Sequence, residues 1–315
     1  TRKESSAASD VYKRQLLLLA PELVEADKIA IDPIFTYGGS LDSQQLEITR
    51  QSLGVDAEVK EIPVEANELN GLLHDTYPYR QVYSSIYITP ADNNGEVTVE
   101  IITPYTITDI TPIQYQNAAI TAGAVDVNIK VASAVKVDGS GALAGVYKAF
   151  ESQGKALDGQ AVRVAQDELA LTSKFTEEHD GDSAYSDELM NAALADIKQE
   201  IQKSKENNGG SINQEGVQTI INQVINNYNL SAVLTDNNRS QLEGLMNQFA
   251  QLNLSQDQRN QLLKFGQKLQ DQGGDLLSKA KTSWDGLDEN TKEGITGFLE
   301  NLWQALVDFF SSLFA

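Results

Sequence analysis

Two histidines make up the imidazole inventory of this chain, and each precedes an aspartate: His74-Asp75 and His179-Asp180. A metal-dependent phosphohydrolase begins from such dipeptides but needs further histidine and aspartate ligands, so two imidazoles cannot build a multi-histidine centre. Both histidines are expected to be solvated loop residues. Cysteine is absent, which removes thiolate ligands, disulfides and a thiol nucleophile. GGSLD at Gly38 lacks the final glycine of a nucleophile elbow, so a serine triad is not signalled. Serine–lysine chemistry needs no local signature. With 45 acidic residues, no carboxylate pair stands out for glycoside hydrolysis. A calcium loop starting at Asp236 fails, because Gln241 stands at the turn glycine and Asn247 at the bidentate glutamate. No catalytic residue, metal ligand or cofactor is assigned.

Gly139, Ser140 and Gly141, between a strand-like run and a helical one, form a weak candidate anion-binding turn, since backbone amides at a helix start attract negative charge. The spacing is not GxGxxG. The competing reading is a tight turn capped by Ser140, with Gly145 permitting close helix packing.

The stronger lead lies at the C-terminus. From Thr291 onward, Phe298, Leu299, Leu302, Trp303, Leu306, Phe309, Phe310 and Leu313 recur at helical spacing and form a candidate interaction face. Glu300 and Asp308 weigh against a membrane span, because a central charge costs a few kcal/mol. The helix is expected to lie on its own bundle, on a membrane surface, or on a cell-wall or envelope-protein partner. No Lys or Arg follows Lys292, which removes the usual attraction to anionic lipid.

The elements ahead of these residues read as α+β. Ile29–Tyr37 is strand-like, with Pro33 indicating an edge; Ser40 or Asp42 caps a helix ended by Gly54; Val55–Val64 is a strand and Ala66–Leu73 a short helix. Val82–Thr89 and Glu96–Thr103 flank ADNNGE, a hairpin signal. Thr111–Ala122 is helical, Val125–Val137 strand-like, and a last helix starts near Ser140. SLGVDAEVKEIPV and TAGAVDVNIKVASAV share helix end, glycine and Lys-bearing strand, a weak internal duplication. It implies a mixed sheet with helices on one face and the hairpin completing it.

Gln160–Phe175, Ala184–Lys205 and Gly216–Tyr228 carry apolar residues at three and four spacing and are amphipathic helices. Leu234, Thr235, Arg239, Gln241, Leu242, Leu245 and Phe249 recur twenty residues on as Leu254, Ser255, Arg259, Gln261, Leu262, Phe265 and Leu269, a duplicated helix with Thr235 and Ser255 as caps. The expected organisation is 1–26 leader region, 27–154 an α+β domain, 155–287 an all-α helical domain and 288–315 the amphipathic helix.

A chain of 315 residues with 41% hydrophobic content can bury a core in two folded units. Its net charge of −21 repels phosphate backbones, so nucleic acid is excluded as a partner. The oligomeric state is not legible. Thr1–Gln15, containing SSAASDVYKRQ, resembles translated sequencing-adapter read-through; LLLLAPELVEA then reads as the remnant of a signal peptide with Val24 and Ala26 at the cleavage site. An extracytoplasmic location, secreted or surface-associated, is the expectation.

TPYTITDIT at Thr103, QYQNAAITAG at Gln114 and VKVDGSGALAGVYKAFE at Val135 resemble the secreted microbial proteins of the domain of unknown function 1002 family. The close match covers Thr103–Glu151. The resemblance implies export and brings no activity, cofactor or catalytic residue. The resulting expectation is an exported, envelope-associated, non-enzymatic binding module acting through its C-terminal helix, with a hydrolase of envelope polymers as the alternative.

Overall fold

The structure, a computed structural model, describes residues 31–56, 58–72, 78–91, 95–180, 185–228 and 230–269. The C-terminal interaction face, the leader region and His74 lie outside the described residues.

The sheet is built from two copies of one unit. In the first, β1 (Ile34–Gly38) leads into α1 (Ser43–Leu53) and returns as β2 (Lys60–Val64), parallel to β1 with Ile34 opposite Lys60. The Asp42 carboxylate accepts the Gln44 and Gln45 amides, Gln45 reciprocates, and Gly54 closes the helix at φ 64°. These local choices satisfy the orphan groups at both helix ends. In the second unit β4 (Thr98–Ile101), α3 (Pro112–Ala122) and β5 (Val127–Ala132) repeat the plan. Thr111 and Gln114 form the capping box, Gly123 closes at φ 112°, and β4 runs parallel to β5. The duplicated sequence is thus a duplicated strand–helix–strand.

Between the units β3 (Ser85–Pro90) runs antiparallel to both β1 and β5, giving the order β2-β1-β3-β5-β4. Three expectations need correction. The two strands flanking ADNNGE do not pair as a hairpin, because β5 is inserted between them. Val127, Ile129 and Val131 are all buried, whereas β4 carries the exposed Glu100; an apolar strand belongs inside a sheet and a charged one at its edge. Pro33 does not mark an edge strand either. It precedes the paired stretch, and the edge proline is Pro63 in β2. Finally, helices cover both faces: α1 packs over Phe35, Tyr87 and Ala132, opposite the face formed by Ile34, Ile86 and Ile129.

That second face carries α3 and α4 (Ala142–Glu151), beside the short α2 (Ala66–Leu72). Beyond it come α5 (Gly159–Glu178), α6 (Asp187–Asn207), α7 (Gln214–Asn227), a 3-10 turn at Leu230–Ala232, α8 (Asp236–Ala250) and α9, residues 256–269. Asp158, Ser186, Asn213 and Thr235 cap four of them. The duplicated helix is reproduced at its cap: the Thr235 amide donates to Asn238 Oδ1 as the Ser255 amide does to Gln258 Oε1, and Arg239 and Arg259 each donate to a carbonyl ahead of their helix. Leu242, Leu245 and Phe249 are buried, as are Leu262, Phe265 and Leu269. Thr235→Ala is expected to cost about 1 kcal/mol, read as a melting-temperature drop of about 2–4 °C.

The apolar core is continuous from Ile34 through Phe175 to Phe265, and a polar knot sits inside it. The Lys198 ammonium, fully buried, lies 2.9 Å from Glu168 Oε1 and donates to Thr121 Oγ1 at 2.9 Å and to Asn117. Thr121 donates to Glu168 Oε2 at 2.7 Å, and the Lys198 ammonium stands 5.9 Å over the Phe249 ring. Desolvation lowers the Lys198 pKa, opposed by the adjacent Glu168 charge. This knot joins α3, α5, α6 and α8 and fixes the rotation of α6 about its axis. The side chains that α6 turns outward are fixed by the same constraint.

Candidate functional site

The outward face of α6 forms one wall of a trough of about 600 Å³. Asp196, Gln199, Glu200, Lys203 and Glu206 come from α6, Gln223, Val224 and Asn227 from α7, and Arg259, Leu262 and Leu263 from α9. Each set recurs at three and four spacing, so each helix presents one stripe. Two of the walls are tied directly, Gln199 Nε2 donating to Leu262 O at 3.1 Å, and Lys205 Nζ ties α6 to the end of α8 by donating to Ala250 O and Leu252 O at 2.8 and 2.6 Å.

Charge within the trough is partly balanced. Lys203 Nζ lies 3.3 Å from Glu200, and Arg259 Nε lies 3.4 Å from Glu206. Asp196 is buried and, among the described residues, has neither hydrogen bond nor ion pair. Desolvation, aided by the neighbouring Glu200 charge and tempered by Lys203, pushes its carboxyl up to about 6. Gln202 also borders the trough, and its Nε2 is buried out of reach of solvent with no acceptor among the described residues.

The sign of the Asp196 contribution follows from linkage. Its folded pKa of about 6 exceeds the ordinary 3.8, so the folded state holds the proton longer and stability falls as pH rises through that interval. Asp196→Asn is therefore expected to stabilise the protein at pH 7 by roughly 1–2 kcal/mol. The gain should vanish below pH ~4, as followed by urea unfolding across pH.

The sequence-derived turn has a different geometry. Gly139 adopts φ 98°, and the Ser140 amide and hydroxyl both donate to Asp138 Oδ1, at 2.9 and 3.0 Å. Ser140 Oγ accepts from Tyr79 OH at 2.9 Å, and Tyr115 OH donates to Gly139 O. Gly141 starts α4 in a helical conformation without a side-chain cap, so Ser140 does not cap this helix. A carboxylate stands against the Ser140 amide. Gly145 does serve close packing: a Cβ there would stand 2.3 Å from Thr36 Oγ1 and 2.9 Å from Ile86 Cγ1.

His179 is no solvated loop residue. It closes α5, stacks on Tyr185 at 4.8 Å, and its ring nitrogens face Phe175 O and Val233 O. Among the described residues no cluster of three or more His, Asp or Glu is placed to hold a metal ion, and no helix is long and apolar enough to cross a membrane. A smaller depression of about 360 Å³ between α2, α4 and the segment leading to α5 is bordered by the Glu68–Lys148 ion pair. That pair lowers the Glu68 pKa.

No solved structure matches the chain. The uncharacterized protein YpuA of Bacillus subtilis (strain 168) is 27% identical over 300 residues, covering 94% of this chain and 95% of that protein. The family model described as "Protein of unknown function (DUF1002)" matches residues 37–268. That stretch begins in β1 and ends one residue before the last described position of α9, so sheet, polar knot and trough helices together make this chain a member of the DUF1002 family.

Proposed function

We propose that the protein is an extracytoplasmic, non-enzymatic binding module of the microbial envelope. In this reading the trough between α6, α7 and α9 is its binding site. The stretch containing Phe298, Leu302, Leu306 and Phe309 provides a second contact to a membrane surface, the cell wall or an envelope protein. The observation that carries the reading is the trough itself: a concave, amide- and charge-lined surface whose α6 wall is fixed by an internal ion pair. Among the described residues its lining contains neither hydroxyl nor imidazole side chains, whereas unpaired polar groups on a rigid frame suit recognition.

The test is co-sedimentation of the full chain with purified cell wall and with lipid vesicles, beside Asp196→Asn/Gln202→Ala and a truncation before Asp288. Loss of recovery in each altered form supports the module. Equal soluble recovery of all three refutes it.

A hydrolase of envelope polymers is the second reading, favoured by one observation. The Asp196 carboxyl, pushed up to about 6 by burial, stands one helical turn from Glu200, and a carboxyl raised toward neutral pH is what general-acid cleavage uses. Release of soluble fragments from wall polymer, abolished by Asp196→Asn, would replace the first reading with this one.

A further inference from the structure

We infer that the trough holds an aliphatic primary ammonium group between the Asp196 carboxylate and the side-chain carbonyl of Gln199, the group belonging either to a free alkylamine or to the lysine side chain of a peptide. This rests on the trough being the binding site. The other charges of the lining cancel in pairs, Glu200 with Lys203 and Glu206 with Arg259. Asp196 is the remainder. It is 8% exposed, it has neither hydrogen bond nor ion pair among the described residues, and its oxygens open on the trough, unlike the sealed Nε2 of Gln202. Buried polar groups are nearly always satisfied, so this carboxylate calls for a positive donor from outside the described residues.

Gln199 supplies the second acceptor. Its Nε2 donates to Leu262 O and lies where Gly266 leaves α9 without a side chain, since a Cβ there would stand 1.8 Å from that nitrogen. With Nε2 spent on α9, Oε1 is left without a donor among the described residues. Asp196 and Gln199 are three residues apart on one helix, neighbours about 5–6 Å apart at Cβ, so one small group reaches both. An ammonium carries N–H donors, a positive charge and no acceptor. A hydroxyl would leave Asp196 without a counter-charge. A divalent cation of the calcium type takes about six oxygens or more, and among the described residues no cluster of three acidic or imidazole ligands exists. The aliphatic stem follows from Ile220, Val224, Leu262 and Leu263, which line the same trough and cover a methylene chain as apolar surface does beneath a lysine head.

Proton and ammonium compete for Asp196. Burial pushes its carboxyl up to about 6. The other charged groups facing the trough are Glu200, Lys203 and Glu206 from α6 and Arg259 from α9, while α7 contributes amides and aliphatic side chains. Affinity for the ammonium therefore falls as pH drops through about 6.

The experiment titrates the full chain with pentylammonium chloride, with Nα-acetyl-lysine N-methylamide and with 1-pentanol as the uncharged control. Side-chain amide NMR signals of Gln199 and Asn227 report occupancy. At least one ammonium probe is expected to shift both saturably, and pentanol neither. Asp196→Asn should weaken binding at least tenfold and Gln199→Leu severalfold, the latter read from Asn227. Binding at pH 5 should be about tenfold weaker than at pH 7.5, and Asp196→Asn should abolish that dependence. Comparable or tighter binding of the lysine derivative assigns the ammonium to a peptide side chain, and its exclusion assigns it to a free amine. No saturable shift from either ammonium, equal affinity for pentanol, or unchanged binding by Asp196→Asn overturns the inference. If the ammonium probes fail while Asp196→Asn/Gln202→Ala still lowers wall or vesicle co-sedimentation, the ammonium class falls and the trough stands. If co-sedimentation is unchanged as well, both fall.

Discussion

Lys198→Met is expected to destabilise the fold by about 3–5 kcal/mol, the cost of leaving one member of a buried ion pair without its counter-charge. Glu168 is 1% exposed and Lys198 fully buried, so water cannot screen the orphaned carboxylate. Thr121 and Asn117 lose the ammonium that joins them to Glu168 at the same time. Urea unfolding checks the magnitude, and the double variant Lys198→Met/Glu168→Leu checks the cause. Removing both charges should recover most of the loss, since apolar replacement of a complete buried pair is often neutral or stabilising. A double variant as unstable as the single one would show that packing volume, rather than charge, dominates.

Gly145→Val is expected to cost about 3 kcal/mol, the upper range for forcing extra methyl groups into a close-packed interior. Helix propensity points the other way, because glycine in a helix interior is worth up to about 1 kcal/mol less than alanine. The contact decides the sign: Thr36 Oγ1 at 2.3 Å and Ile86 Cγ1 at 2.9 Å from the added Cβ belong to the central strands and cannot swing away. Thr36 Oγ1 is itself buried and unpartnered among the described residues. Thr36→Ala should therefore be nearly neutral alone, and should return part of the stability lost in Gly145→Ala. Thermal unfolding of Gly145→Val, Gly145→Ala, Thr36→Ala and Thr36→Ala/Gly145→Ala measures both effects.

Local signals were legible where their physics is local. Asp42, Thr111 and Thr235 cap helices because a short oxygen-bearing side chain reaches the first free amides. Gly54 and Gly123 end helices because they tolerate positive φ. The Leu234–Phe249 pattern and its copy gave two helices for the same reason. Strand pairing was not legible, because ADNNGE describes a turn but not which strand wins the inner edge of β3. That choice belongs to β5, whose apolar alternation lay some forty residues away.

The polar knot has a signal in the sequence. Lys198 falls inside the stripe Met190, Ala193, Leu194, Ile197, Ile201, and Glu168 between Ala165 and Leu169. A charge within an apolar stripe either ruins a helix or finds its opposite on a neighbour. The trough had no such signal. Asp196, Glu200 and Lys203 read as an ordinary solvated face, and only the approach of α7 and α9 makes that face concave. The C-terminal face lies outside the described residues, so its placement is tested by truncation.

The last described helix also sets the order in which the molecule can be completed. Gln261 on α9 accepts the Val97 amide at 3.0 Å across 164 residues and donates to Gly95 O and Asp126. The backbone entering the edge strand β4 is thus latched by a residue made long after it, and β4 itself waits for β5 to acquire its neighbour. Contacts so distant in sequence slow folding. A chain ending before residue 261 lacks this latch, and its sheet edge then rests on β4–β5 pairing and on the bond that Gln116 Nε2 donates to Val97 O.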